Sequence, residues 1–266
     1  MSALESPSGY TSNGLPYDRL GEGRSVLVVF QGLTFENAPM HRLEARLTLP
    51  MYSFLSAEYT VFVVNRRQGL GPGCTIKDMA DDYAEMIEHE FGGPVDVIGL
   101  STGGSICQEF AADHQDLVRR LVIHSSAHKL GPVGKDGQQR ARDLAREGKW
   151  RQVGALMMEF VLPPAWYKRP LVWATSPVMT LGAPDDPSDM VATIDAEDRF
   201  DFRDRLHEIA APTLLAAGAD DPFYSPELFR ETAAGIPDCR LSLYPDMGHP
   251  AQGREFERDV LAFLAE

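Results

Sequence analysis

The sequence predicts an α/β fold: a mostly parallel central sheet with helices on both faces, plus a helical cap insertion. Three observations carry this. Short β-rich apolar runs alternate with stretches of helical periodicity, the pattern of βαβ units. The runs are near-continuous in Val, Ile and Leu, as strands covered on both faces are. The alternation then fails once, between 129 and 204, and resumes afterwards.

Taken in order, the strand candidates are Ser25–Phe30 (SVLVVF), Tyr59–Val64 (YTVFVV), Val95–Leu100 (VDVIGL), 121–124 (LVIH), 212–217 (PTLLAA) and, with weaker pattern, 241–244 (LSLY). Between the second and third, Thr75 opens a T-x-x-D capping pattern with Asp78. Ile76, Met79, Ala80, Tyr83, Ile87 and Phe91 follow at helical spacing, and Gly92-Gly93 ends the run. Ser225-Pro226-Glu227 reads as an N-cap, a first-turn proline and an acid that suits the helix dipole. Phe256, Val260, Phe263 and Leu264 give the last helix one apolar face. Right-handed crossovers put such helices on both faces of the sheet.

The stretch 129–204 carries Pro163-Pro164, Trp166, Trp173 and the methionines 157, 158, 179 and 190. It reads as a helical insertion over one edge of the sheet. Two readings stand side by side: a helical subdomain whose methionines fill irregular gaps, and a lid facing substrate. The expected organisation is a core in two parts, 1–128 and 205–266, with the cap at 129–204 between them. The segment before Gly23 shows no strand or helix pattern.

Composition excludes several function classes. The chain has 266 residues, with 25 Lys and Arg against 39 Asp and Glu, for a net charge of −14. That charge repels phosphate backbones and anionic lipid, so neither nucleic acid nor membrane is an expected partner. Three scattered cysteines make neither a disulfide framework nor a paired metal site. Residues 1–14 lack the basic start and apolar middle of a signal peptide. No apolar run reaches the ~18 residues of a membrane span. The expectation is a cytoplasmic protein acting on a small molecule, with homo-oligomerisation left open.

The chemistry gathers at Gly99-Leu100-Ser101-Thr102-Gly103, a G-x-S-x-G between a buried-type strand and a helix-compatible stretch. A sharp turn there lifts a serine hydroxyl clear of the sheet, and the flanking glycines remove Cβ atoms from a crowded bend. The helix that follows aims its N-terminus at developing negative charge. Two further loops follow strands: Gly218-Ala219-Asp220-Asp221-Pro222 and Gly248-His249-Pro250. Serine hydroxyls are poor nucleophiles at neutral pH. They need an imidazole to take the proton and an anion to orient that imidazole.

With these residues the chain resembles the α/β-hydrolase family, in its serine-nucleophile branch, over almost its whole length. The elbow is 99–103, the family's G-x-x-D is read at 218–221, and its G-H at Gly248-His249. The passage 113–122 (DHQDLVRRLV) is also similar to the family's helix-to-strand link. The resemblance implies Ser101 as nucleophile, His249 as general base and acid, and Asp221 as orienting carboxylate, with Asp220 as rival. It implies an oxyanion hole of backbone N–H groups from Thr102 and Leu33, beside Gly32. The family reads His-Gly where this chain has Gln31-Gly32. It further implies serine ester or lactone hydrolysis through an acyl-enzyme, with no cofactor and no metal. Gly32, His128 and Trp166 are candidate substrate contacts. A carbon–carbon bond hydrolase, a cofactor-free haloperoxidase or perhydrolase, and a lyase or ligand-binding relative remain alternatives on the same fold.

Other signals are weaker. Gly69-Leu70-Gly71-Pro72-Gly73 follows a strand, but position 74 is Cys, so the dinucleotide fingerprint is incomplete. Pro72 also removes an N–H that a phosphate would use. Asp185, Asp186 and Asp189 read as a solvated loop rather than a calcium site.

Overall fold

A computed structural model describes residues 7–162, 172 and 183–266. Eight strands form one sheet: β1 (Ser8–Tyr10), β2 (Pro16–Leu20), β3 (Ser25–Phe30), β4 (Tyr59–Val64), β5 (Val95–Leu100), β6 (Val118–His124), β7 (Thr213–Gly218) and β8 (Cys239–Tyr244). Their spatial order is β1-β2-β4-β3-β5-β6-β7-β8. The pairings from β4 to β8 are all parallel. The hairpin β1–β2 runs antiparallel along one edge. It occupies the segment in which the sequence shows no strand pattern. These strands are short, and β1 is half-exposed, so neither carries a continuous apolar run.

The described helices are α1 (Arg42–Thr48), α2 (Ile76–Phe91), α3 (Thr102–Asp113), α4 (Pro132–Arg146), α5 (Trp150–Val161), α6 (Ser188–Asp198), α7 (Pro226–Gly235) and α8 (Arg254–Leu264). The expected caps are in place. Thr75 and Asp78 form a reciprocal capping box at the start of α2, Gly92 ends that helix at φ 69°, and the Ser225 hydroxyl accepts from Leu228 N–H.

Alternation along each strand divides the core. Val28, Phe30, Val97, Ile123 and Leu215 face one layer with α2 and α3 residues such as Ile87 and Phe110. Leu27, Val29, Ile98, Val122 and Leu214 face the other, against Phe256, Val260, Phe263 and Leu264 of α8. Helices α4, α5 and α6 lie between β6 and β7 in sequence. They share a small core of Ala141, Ala145, Val153, Leu156, Met190 and Ile194, against which Leu33 and Phe35 pack.

Strand order reverses at β3, which lies between β4 and β5. In open α/β sheets this opens a crevice at the carboxyl ends of the strands. Registers Phe30↔Gly99, Leu100↔His124 and Gly218↔Tyr244 bring the ends of β3, β5, β6, β7 and β8 toward one rim. The end of β6 also pins the loop after β8. His124 Nε2 donates to the Ala251 carbonyl at 2.8 Å, and the Ser125 hydroxyl accepts from Ala251 N–H at 2.9 Å.

His124 is fully buried, with its ring 4.3 Å from that of Phe256. Burial holds its pKa down to about 4, below the ordinary 6.5. Between those values the unfolded chain takes up a proton that the folded chain refuses, so stability falls as pH drops from 6.5 toward 4. Going from pH 7 to pH 5 should therefore cost wild type about 2 kcal/mol more than His124→Gln, whose amide retains a donor for Ala251. Urea unfolding of both proteins at the two pH values measures the difference.

Candidate active site

Ser101 caps α3 with backbone angles of φ 51° and ψ −119°. That region is sparsely populated by non-glycine residues and persists only where the surroundings enforce it. The neighbours explain how it is accommodated. A Cβ on Gly103 would run into the Phe30 carbonyl of β3, and one on Gly99 would meet the Cys107 sulfur and, at 2.6 Å, the Gly103 carbonyl. Gly104 lies against the Ser126 side chain in the same way. The turn therefore presses directly on the backbone at the end of β3 and on the Ser126 side chain.

The sequence-derived residues meet there. Ser101 Oγ lies 3.0 Å from His249 Nε2, and His249 Nδ1 lies 2.7 Å from Asp221 Oδ2. A carboxylate only accepts, so Nδ1 carries the proton and Nε2 is left to accept from the serine hydroxyl. The second Asp221 oxygen accepts from Phe223 N–H at 2.8 Å and Tyr224 N–H at 3.2 Å. The Asp221 side chain is fully buried, whereas Asp220 is exposed and its N–H donates to the Met247 carbonyl at 2.9 Å. Of the two candidate acids, Asp221 is the one in contact with the imidazole. The Phe223 ring packs 4.6 Å from the His249 ring and 4.6 Å from Phe160 of α5.

Thr102 is the first residue of α3, so its N–H has no acceptor within the helix. Gly32 follows β3 beside the elbow: a Cβ there would lie 3.3 Å from the Leu100 carbonyl and 3.4 Å from Ser101 Cβ. Leu33 is next in that loop. His128 is not part of this group. It is buried, with Nδ1 2.9 Å from the Thr232 hydroxyl of α7. Trp166 lies outside the described residues.

Two buried charges beside the elbow went unread in the sequence. Glu197 of α6 receives the Thr102 hydroxyl at 2.6 Å, the Ser105 hydroxyl at 3.1 Å, the Gln138 amide at 3.0 Å and the Tyr224 hydroxyl at 3.4 Å. Burial raises its pKa, and the donors from Thr102, Gln138 and Ser105 oppose that rise. Its spacing from Met190 and Ile194 was the available signal, because the three share one helical face. Arg66 follows β4, and its guanidinium bonds the carbonyls of Gln31 and Gly32 at 2.9 and 3.0 Å. In the sequence nothing separates it from exposed Arg67.

The glycine-rich loop after β4 is also spoken for. Its Gly69 and Leu70 N–H groups donate to the Asp189 carboxylate at 3.2 and 2.7 Å. This links the loop to α6, and it leaves those two amides bonded to protein rather than open to a phosphate.

Comparison with known proteins identifies the family. A family model described as the alpha/beta hydrolase family matches residues 32–262. A provisionally named carbamate hydrolase of Azorhizobium caulinodans is 29% identical over 201 residues, 73% of this chain and 75% of that protein. The 2-hydroxy-6-oxononadienedioate/2-hydroxy-6-oxononatrienedioate hydrolase of Paraburkholderia xenovorans is 29% identical over 180 residues, 64% of this chain and 62% of that protein. The crystal structure of the enol-lactonase from Burkholderia xenovorans has a TM-score of 0.79 at 21% identity, over 98% of this chain and 100% of that one. At that identity the last likeness is one of fold. With a family match across most of the chain, and with a sheet of the same fold, this protein belongs to the alpha/beta hydrolase family of enzymes.

Proposed function

We propose that the protein is a serine hydrolase that cleaves a small, largely apolar ester or lactone through a covalent acyl-enzyme. The observation that carries this reading is the hydrogen-bonded chain from Ser101 through His249 to Asp221. In this reading Ser101 Oγ attacks the substrate carbonyl while His249 Nε2 takes its proton. Asp221 holds the ring in the tautomer that leaves Nε2 free to accept, and it stabilises the imidazolium that forms. The N–H groups of Leu33 and Thr102 receive the charge that develops on the carbonyl oxygen. His249 then returns the proton to the departing alkoxide. Water, deprotonated by the same imidazole, attacks the acyl-enzyme and releases the acid, which restores Ser101.

Residues 129–204 act as the cap in this proposal, their helices closing over the crevice beside the loop after β3. Leu33 and Phe35 pack against the α4–α6 cluster, which supports that arrangement. Phe223, backed by Phe160, gives the histidine an apolar wall. The net charge of −14 favours neutral substrates over anionic ones.

The likeness to the 2-hydroxy-6-oxononadienedioate hydrolase supports a second reading, cleavage of a carbon–carbon bond. Its named substrates carry two carboxylates, which a net charge of −14 disfavours. Parallel assays of short nitrophenyl esters and of a dienedioate separate the two readings.

Native protein should react covalently with a fluorophosphonate at Ser101 and should turn over short nitrophenyl esters. Absence of both in folded protein would remove the hydrolase reading. Ser101→Ala and His249→Ala should each lower kcat by roughly 10⁴-fold or more with little change in melting temperature, since members of such a unit fail together. Asp221→Asn should cost about 10³–10⁴-fold in kcat, while Asp220→Asn stays within about threefold of wild type. A larger loss at Asp220 than at Asp221 would reverse the assignment of the acid.

A further inference from the structure

We propose that Arg66 is a positioning residue for this reaction, its buried guanidinium aiming and polarising the Leu33 N–H toward the substrate oxygen; this rests on the hydrolase reading above. Arg66 is 1% exposed. Its Nη1 donates to the Gln31 carbonyl, and its Nη2 donates to the Gly32 carbonyl and to the Thr34 hydroxyl at 3.0 Å each. The Gly32 carbonyl and the Leu33 N–H belong to one peptide group. Among the described residues the cis peptide bond is at His249-Pro250, so the Gly32–Leu33 bond is trans. In a trans peptide the carbonyl and N–H point in opposite directions across a rigid plane. Fixing the oxygen on Arg66 therefore fixes the direction of the Leu33 hydrogen. The plane lies against the elbow, as the approach of Gly32 to Leu100 and Ser101 shows.

Holding the loop together does not require a charge. Asn65 Nδ2 donates to the Thr34 hydroxyl at 3.1 Å and to the Glu36 carbonyl at 3.2 Å, and Asn37 Nδ2 donates to the Arg67 carbonyl at 3.0 Å. Neutral amides thus already tie the loop after β3 to the loop after β4. A buried cation is an expensive addition to such a network unless it is paired. Among the described residues Arg66 forms no ion pair within 4 Å; carbonyl dipoles take that place, with the Glu197 and Asp189 carboxylates acting from farther off. What the charge adds is electrostatic. Drawing electron density toward the Gly32 oxygen strengthens the Leu33 N–H as a donor. A fixed positive charge behind that peptide also lowers the energy of an oxyanion in front of it, and it does so in a site of low dielectric. Gln31 stands where the resembled family has His, and here the same loop is set from the β4 side.

The test compares wild type with Arg66→Lys and Arg66→Met. Lysine offers a compact point charge in place of the planar fork, and methionine keeps much of the volume without charge. Nitrophenyl ester turnover is measured per fluorophosphonate-titrated site, so partial unfolding changes the amount of enzyme and not the reading. Both variants should lose on the order of 10–100-fold in kcat, with KM within about twofold. Their affinity for a trifluoromethyl ketone, which forms a charged tetrahedral adduct on the serine, should fall by the same factor. Unchanged kcat and inhibitor affinity, or a loss confined to KM, would overturn the role of Arg66 while leaving the hydrolase reading intact. A wild type that neither labels nor turns over ester overturns that reading, and the role of Arg66 with it. Wild type supplies an independent measurement should both variants fail to fold. Forming the ketone adduct should shift the Arg66 guanidinium proton resonances through the Gly32–Leu33 peptide, and unmoved resonances count against the proposal.

Discussion

Ser101, held at φ 51°, makes strand β5 become helix α3 within a single residue, and the rest of the site is arranged around that turn. Such a backbone state costs of order 1–3 kcal/mol and survives only under external constraint. The constraint is close packing on both sides. Gly103 abuts the Phe30 carbonyl of β3, Gly104 abuts Ser126 after β6, and Gly99 abuts Cys107 of α3. The strand order then decides what the serine meets. Because β3 pairs with β5, the first residues after β3 emerge beside the elbow. Because β7 pairs with β8, Asp221 and His249 emerge beside each other.

The imidazole depends on contacts well away from the serine. The loop that carries His249 is fastened through both polar groups of Ala251 to His124 and Ser125, at the end of β6. Asp221 is fastened by two backbone N–H groups of its own loop. The described geometry therefore joins strand ends β5, β6, β7 and β8 through a few short polar bonds. A neutral His124 is part of this, since its buried ring bonds through one nitrogen only.

Much of this was legible in the sequence, for local reasons. Strands β3 to β7 are apolar runs, and the caps at Thr75, Gly92 and Ser225 are defined by neighbours within five residues. Ser101, Asp221 and His249 each follow a strand in a recognisable short pattern, and the structure brings the three side chains together. The β1–β2 hairpin was not legible, because its strands are short and its pairing with β4 is set by register across 40 or so residues. Strand β6 begins three residues before its apolar run, at the exposed turn of the chain out of α3. Arg66 and Glu197 were missed for a different reason. Each looks like an ordinary surface charge next to another of the same sign, Arg67 in one case and Asp198 in the other. Only tertiary packing decides which member of each pair turns inward.

That inward turn changes how the charge of the protein should be weighed. The surplus of carboxylates lies mostly on the surface, where water and salt reduce its effect over about 8–10 Å. Arg66 and Glu197 are both buried beside the elbow, and each acts through hydrogen bonds on a residue adjoining it. Arg66 stands behind the Gly32–Leu33 peptide, while Glu197 receives the Thr102 side chain and leaves the N–H of that residue to the mouth of the helix. At low dielectric a single fixed charge at this range outweighs many screened ones. The acidic surface can thus bias which molecules approach, while the groups adjoining Ser101 are held by two buried side chains, Arg66 on the Gly32 carbonyl and Glu197 on the Thr102 hydroxyl.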